Sequence, residues 1–434
     1  MYTVPLTGVI HEVQTMMQAT LCVRRFGSAW RNCRHRFWLV AALLVLLTGC
    51  TQSTPPALLD SAAGIANSVL DEAPVVSAYR IGLQTEVTGD GAQIGDLTLR
   101  AARLALEEIN AAGGIAGKPF ELVVRDVRSS PEVALQQYQA AVAEDNLDAL
   151  IGPFKSAYAV HVVPEHRKRD LPMFLGATNA TLTELGDANL FRMRPSDKVT
   201  AAAMVAFALE RLGSQRIGVV HDVDAFGSGG AARIRLELVA HTLTPTIEIG
   251  YVTGAQEMDA IARELADADV DTVLIYGTNG ADVGRLLRSL RYWNVAAAVI
   301  TSPGGATLPA HNIAAEAQDG IYVVTDALLH GAPDSVGFVE RFHARFGFEP
   351  DTYIAWVYDA IGLLADRWRR DPEARGRELS ELIRQTPFDG VQGEYRFDAN
   401  GDGLHRVSIV QMMAGAATPL ASFDGGAHAL EDAP

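Results

Sequence analysis

From Ala78 onward, short apolar runs rich in β-branched and aromatic residues alternate with longer runs of helical periodicity. This alternation limits the fold more than any other feature of the chain. The strand candidates are Tyr79–Leu83, Glu121–Asp126, Ala149–Gly152, Met173–Gly176, Arg216–Asp222, Thr246–Val252, Thr272–Gly277, Ala297–Thr301 and Ile321–Val324. Most are unbroken apolar runs, the pattern of parallel strands buried on both faces. Helix candidates lie among them at 96–112, 131–144, 201–212, 257–266, 281–293, 336–346 and 354–369. The first places Ala102, Ala105, Leu106 and Ile109 on one stripe and meets Gly113-Gly114, which suits a helix C-terminus. Such a βαβα order predicts an α/β fold with doubly wound parallel sheets. The order pauses near Pro195-Ser196-Asp197 and then restarts, which predicts two sheets and two lobes with a cleft between them. Ligands of open α/β sheets bind outside the carboxyl ends of the strands.

Length and composition agree with this. At about 100–200 residues per domain, 434 residues make two or three domains. A hydrophobic content of 48% excludes a mainly disordered chain. The 36 basic residues against 52 acidic ones give a net charge of −16, which repels phosphate backbones and argues against nucleic-acid binding.

The first 49 residues differ from the rest. They carry five arginines (Arg24, Arg25, Arg31, Arg34, Arg36) against one acid, Glu12. The apolar run Phe37–Leu47 follows, shorter than the ~20 residues that span a bilayer. A basic stretch before such a run predicts a secretory signal over residues 1–49. The run ends in Leu47-Thr48-Gly49-Cys50, which resembles the lipobox of bacterial lipoproteins and implies lipidation of Cys50. Cleavage there removes Cys22 and Cys33, so the mature chain has no pair left for a disulfide. Residues 50–77, rich in Ser, Thr, Pro and Ala, are expected to be a flexible tether. The expected location is outside the cytoplasm, on a membrane, facing the periplasm or cell exterior.

An ordered series of short motifs runs through the body. It begins with Ile81-Gly82, Val87-Thr88-Gly89 and Ile94-Gly95, and continues with the stretch from Ile109 to Gly117. Ile151-Gly152-Pro153 with Ser156, Gly176-Ala177-Thr178-Asn179, and Phe191-Arg192 before Pro195-Ser196-Asp197 follow. Asp222 with Phe226-Gly227, and Gly393–Asp398, complete it. In order and spacing the series resembles type 1 periplasmic binding proteins of the leucine/isoleucine/valine-binding branch, over roughly residues 78–415. The resemblance implies two Rossmann-like lobes joined by three crossovers, with the ligand cleft between them. One lobe is expected over 78–197 and 325–388, the other over 198–324 and 389–420, with a flexible tail at 421–434. It implies capture of an amino acid or related carboxylate or amide and its delivery to a membrane ABC permease, with no cofactor and no metal. A sensor of the same fold, reporting a ligand without transporting it, is the alternative. Fold does not separate the two.

The resemblance also assigns a site. Ser156 and Thr178 follow strand ends, where hydroxyls and free backbone N–H groups cradle an anion. In the family the matching residues hold the ligand's α-carboxylate, and the residue matching Gly176 offers its carbonyl to the α-ammonium. The competing reading for both hydroxyls is plain helix capping. Phe226 and Tyr353 match aromatics of the cleft, and core packing competes with that reading. The ammonium half departs from the family. Its acid falls near Pro303, its accompanying Tyr at Asn279, and the Tyr of its first loop at Ile94. A buried ammonium without a counter-charge is costly. Glu86 is a substitute acid. Asp282, at a predicted helix start, is better read as a charge favoured at a helix N-terminus. Otherwise the ligand lacks an amine.

Three further motifs lead nowhere. Gly89–Gly95 misses the dinucleotide spacing by one residue. His161 and His166 lie five apart, about 140° around a helix, and cannot share a metal. Asp398–Gly403 begins like a calcium loop, but Ile409 stands where its glutamate belongs, so a polar hairpin turn between Tyr395–Phe397 and Val407–Met412 is expected. The sequence offers no Gly-x-Ser-x-Gly elbow and no mature free cysteine, and it is not read as an enzyme.

Overall fold

A computed structural model describes residues 77–256, 258–329 and 333–433. The signal segment, Cys50 and the tether through residue 76 lie outside the described residues.

The first lobe is built from β1 (Tyr79–Thr85), α1 (Ala92–Ala111), β2 (Phe120–Asp126), α2 (Pro131–Glu144), β3 (Ala149–Ile151), α3 (Ser156–His166), β4 (Met173–Leu175), α4 (Thr181–Glu184) and β5 (Leu190–Arg192). Its five strands are parallel in the order β2-β1-β3-β4-β5. The local signals act as their chemistry demands. Ser130 caps α2 by accepting from the Val133 N–H, with Pro131 at the first turn. Gly113 and Gly114, both at positive φ, end α1 and return their N–H groups to Asn110 and Ile109.

The second lobe holds α5 (Asp197–Ala206), β6 (Ile217–Asp222), α6 (Ala225–Ala240), β7 (Ile247–Tyr251), α7 (Asp259–Asp267), β8 (Thr272–Tyr276), α8 (Gly280–Tyr292), β9 (Ala298–Thr301), α9 (Leu308–Ala314) and β10 (Tyr322–Thr325). The chain then returns to the first lobe with α10 (Pro333–Phe346), α11 (Ala355–Arg370), α12 (Gly376–Gln385) and the short hairpin β11 (Phe388–Gly390) and β12 (Gly393–Tyr395). It ends with β13 (Arg406–Met413), β14 (Ala416–Asp424) and β15 (Ala429–Asp432). The second sheet has the order β15-β14-β13-β10-β9-β8-β6-β7. Strands β6 to β10 are parallel, and β13 to β15 extend that sheet antiparallel.

Two of the expected boundaries move. The segment expected as a flexible tail at 421–434 is ordered over its described residues, 421–433: β14 and β15 pair, and Ala421 and Phe423 are buried in the second core. The turn Asp424-Gly425-Gly426 closes the hairpin, with Asp424 Oδ1 accepting from Gly426 and Ala427. Small, polar residues hid a strand whose alternate positions face the core. Residues 389–404 also belong with the first lobe. Tyr395 and Leu404 sit in its core, and Tyr395 donates to Asp359 Oδ2 at 2.9 Å. The last crossover therefore falls between Leu404 and Arg406. The Asp398 turn forms, with Arg396 N–H to Gly403 O at 2.9 Å, but β13 pairs with β10 and β14 rather than with 395–397. Both cores run through these layers, the first around Trp356 and Trp368, the second around Phe207, Tyr276 and Phe423.

In both sheets the strand order reverses beside the first strand of the lobe, between β1 and β3 and between β6 and β8. Such reversal points open a crevice at the strands' carboxyl ends. The loops after β3, β4, β6, β8 and β9 lie there.

Candidate functional site

The loop after β4 is held by one side chain. Arg192, at the end of β5 and fully buried, donates to the carbonyls of Ala177 (2.8 Å) and Asn179 (2.9 Å), to Thr183 Oγ1 (2.7 Å) and to Asp402 Oδ1 (2.7 Å). A planar fork with five donors suits a loop of exposed carbonyls. Ser156 opens α3, and its Oγ accepts from the Asn179 N–H at 3.2 Å. That leaves the Ser156 hydroxyl proton to donate elsewhere. Thr178 is buried, its carbonyl accepts from the Asp197 N–H at 2.8 Å, and its Oγ1 has no hydrogen-bond partner in the protein. It neighbours the Asp197 carboxyl, which donation from Tyr276 (2.8 Å) steadies and which burial pushes up to about 6. The Asn179 N–H ties Ser156 to the loop that carries Thr178.

Gly176 stands next to them, and here glycine is required. A Cβ would lie 2.5 Å from Trp356 Cζ2 and 3.0 Å from Phe154 Cδ2. The Gly176 carbonyl accepts from Arg194 Nη1 at 3.1 Å. Arg194 is buried on the first crossover, and its Nε donates to Asp326 Oδ2 on the second crossover at 2.5 Å. Its guanidinium packs on Phe154 (5.1 Å) and Tyr353 (4.8 Å), whose rings meet edge-on at 5.6 Å.

The second lobe brings its own loops. Asp224 caps α6, accepting from Phe226 and Gly227. The nearby Asp222 accepts from the Thr278 N–H at 2.7 Å, and burial with the adjacent Asp224 pushes its carboxyl upward. Phe226 packs on Tyr276 at 4.7 Å as part of the second core. Asn279 caps α8 by accepting from Ala281 at 2.8 Å. Pro303 starts a buried turn, Pro303–Ala306. A Cβ on Gly304 of that turn would lie 3.8 Å from Tyr353 Oη, which places Tyr353 against the second lobe.

The two substitute acids are both committed within the protein. Glu86 is buried, and its Oε1 accepts from Lys155 Nζ (2.8 Å) and Tyr158 Oη (2.7 Å). This first-lobe pairing, rather than a ligand amine, is what Glu86 meets in the structure. Asp282 accepts from the Gly254 N–H at 2.7 Å and pairs with Arg285. Ile94 packs at the edge of the α1–α10 cluster. Among the described residues no group of three or more His, Cys, Asp or Glu side chains could hold a metal.

The lobes touch across the cleft. Asn179 Nδ2 donates to the Ala225 carbonyl at 2.6 Å, and Arg233 pairs with Glu184 at 2.6 Å. The sequence reading missed Phe154, Asn179, Arg194, Ser302, Asp326 and Trp356. One signal was available. Arg192 and Arg194 stand two apart in Phe191-Arg192-Met193-Arg194, so both lie on one side of an otherwise apolar strand end. Two buried arginines on one side need acceptors, and the nearest are loop carbonyls.

Residues 78–417 match the model of the family described as periplasmic binding protein. The chain belongs to that family. This periplasmic binding protein is 27% identical over 328 residues to a Pseudomonas aeruginosa "amino acid binding protein", covering 74% of this chain and 86% of that one. Its fold is that of a leucine-binding protein from Thermotoga maritima, at TM-score 0.74 and 23% identity, over 81% of this chain and 100% of that one. A solute-binding protein from R. palustris in complex with benzoate superposes at TM-score 0.70 with 21% identity, over 79% and 96% of the two chains. The periplasmic binding protein is thus a solute-binding protein that works outside the cytoplasm. None of its described helices is long and apolar enough to cross a membrane.

Proposed function

We propose that this protein captures a small carboxylate or amide, amino acids included, between its lobes and delivers it to an ABC permease, tethered to the membrane by lipid on Cys50. The observation that carries the reading is the pairing of Ser156 and Thr178 across the Asn179 amide. Two buried hydroxyls with protons to donate, at the carboxyl ends of strands and beside a helix start, suit a carboxylate. Gly176, Tyr353 and Phe226 line the same crevice in this reading, with Asn279 and Glu86 at its margins. The aromatic corner of Phe154 and Tyr353 supplies an apolar wall for the rest of the ligand. The P. aeruginosa relative is named for amino acids, and the R. palustris neighbour holds an acid without an amine. Both fit a cleft whose fixed requirement is the carboxylate.

The test is a thermal-shift screen of the full chain against amino acids, amine-free carboxylates and amides. A ligand at 100 times its Kd adds ~2.7 kcal/mol, enough to raise the midpoint by several degrees. No stabilisation by any of the three classes would remove the proposal. Labelling with a radioactive fatty acid, lost in Cys50→Ser, tests the anchor.

A further inference from the structure

Buried polar groups around Gly176 and Gly304 lack protein partners. Thr178 Oγ1, Trp356 Nε1 and Ser302 Oγ are each buried and have no hydrogen-bond partner in the protein. Trp356 Cε2, bonded to that Nε1, lies 2.7 Å from where a Gly176 Cβ would stand. Ser302 begins the loop that reaches Tyr353 through Gly304. A buried donor left unmade costs about 1–3 kcal/mol, so several around one crevice call for an acceptor that the protein itself does not supply.

Most of the acceptors are already engaged. The Gly176 carbonyl accepts from Arg194, and Asp326 is engaged by the same guanidinium. Glu86 is held by Lys155 and Tyr158, and Asp222 and Asp224 by Thr278 and backbone amides. Asp197 keeps one oxygen without a partner, and that carboxyl faces the Thr178 hydroxyl. A cation brought to the Gly176 carbonyl meets the Arg194 guanidinium that already donates to it at 3.1 Å, and like charges repel.

We propose that Arg194 sets the ligand class: the cleft takes small carboxylates with an apolar body and no amine, and Arg194 rejects the α-ammonium of amino acids. This rests on the carboxylate-binding reading above and narrows it. Asp326 keeps the guanidinium aimed at Gly176, while Phe154 and Tyr353 hold its plane.

The test uses matched pairs on the full chain by titration calorimetry: leucine against 4-methylpentanoate and 4-methyl-2-oxopentanoate, and phenylalanine against 3-phenylpropanoate. The expected result is at least tenfold tighter binding of the amine-free member of a pair. In Arg194→Met combined with Asp326→Leu, which removes both members of the ion pair, that preference should fall at least tenfold. Amino acids binding as tightly as their amine-free partners would overturn the inference and leave carboxylate binding standing. Binding of no member of any pair would overturn the carboxylate reading itself. An undiminished preference in the double variant would remove Arg194 from the selection. The wild-type comparison decides the ligand class even if the variant does not fold.

Discussion

Asn179 Nδ2 lies 2.6 Å from the carbonyl oxygen of Ala225, and this bond joins the loop after β4 in one lobe to the start of α6 in the other. Asn179 also accepts from the Thr181 N–H and hydroxyl through Oδ1, so its side chain is fixed from within its own lobe. The same residue lends its backbone N–H to Ser156. One residue therefore touches the hydroxyl pair and the lobe closure at once.

Asn179→Asp keeps the Oδ1 acceptor and loses the donor to Ala225. The closed form should lose about 0.5–1.5 kcal/mol. Ligand affinity should fall about 2–10-fold at that cost, and small-angle scattering should report a more open molecule without ligand. Unchanged affinity and radius would show that the Ala225 contact does not govern closure.

Thr178→Ala removes a buried hydroxyl whose polar neighbour is the Asp197 carboxyl, with no bond of full strength between them, so folding should change little. Ligand binding should weaken by at least ~1.5 kcal/mol, as loss of a hydrogen bond to a charged group does. Calorimetry on the best ligand of the screen measures it, and an unaltered Kd takes Thr178 out of the site.

Arg192→Leu leaves the carbonyls of Ala177 and Asn179 without their guanidinium donor, and Asp402 with Thr183 but no counter-charge. Breaking a buried charged cluster from one side costs about 3–5 kcal/mol. Urea unfolding should show that loss, with binding reduced because the 177–183 loop is no longer held. A loss below ~1 kcal/mol would mean that water replaces the guanidinium without strain.

Asp197 gives a pH dependence of defined sign. Burial raises its folded value to about 6, above an unfolded value of about 3.9. The folded state then binds the extra proton between these values. Its contribution to stability is complete below about pH 4 and is lost as pH rises through about 6. Asp197→Asn should flatten the fall of stability over that window, by up to ~1.4 kcal/mol per pH unit. Denaturation midpoints at half-unit steps from pH 4 to 7 measure it. Parallel curves for the two proteins would show that Asp197 ionises as it does in the unfolded chain.

Much of the frame was legible because it rests on local chemistry. Each strand candidate corresponds to a strand within one or two residues at either end, since unbroken runs such as Val273–Tyr276 have no stable place except between two layers. The places of Ser156 and Thr178 just past strand ends were legible because those ends are predictable from the runs before them; their role came only from the resemblance. The β14–β15 hairpin was not legible. Only alternate residues of Ala416–Asp424 reach the core, and small residues leave that alternation faint. Residues 389–404 were assigned to the wrong lobe because a hairpin pattern does not say which sheet it covers.

The sequence by itself determined the two doubly wound sheets, their strand ends and the placement of Ser156 and Thr178 just past two of them, because periodicity and capping act over a few residues. The tertiary structure alone decided how the charges are spent. Glu86 meets Lys155 and Tyr158 across 69 and 72 residues, and Arg194 meets Asp326 across 132. Which acid pairs with which base inside a low-dielectric interior depends on distances that only the folded chain sets. In this protein that choice places a guanidinium at Gly176.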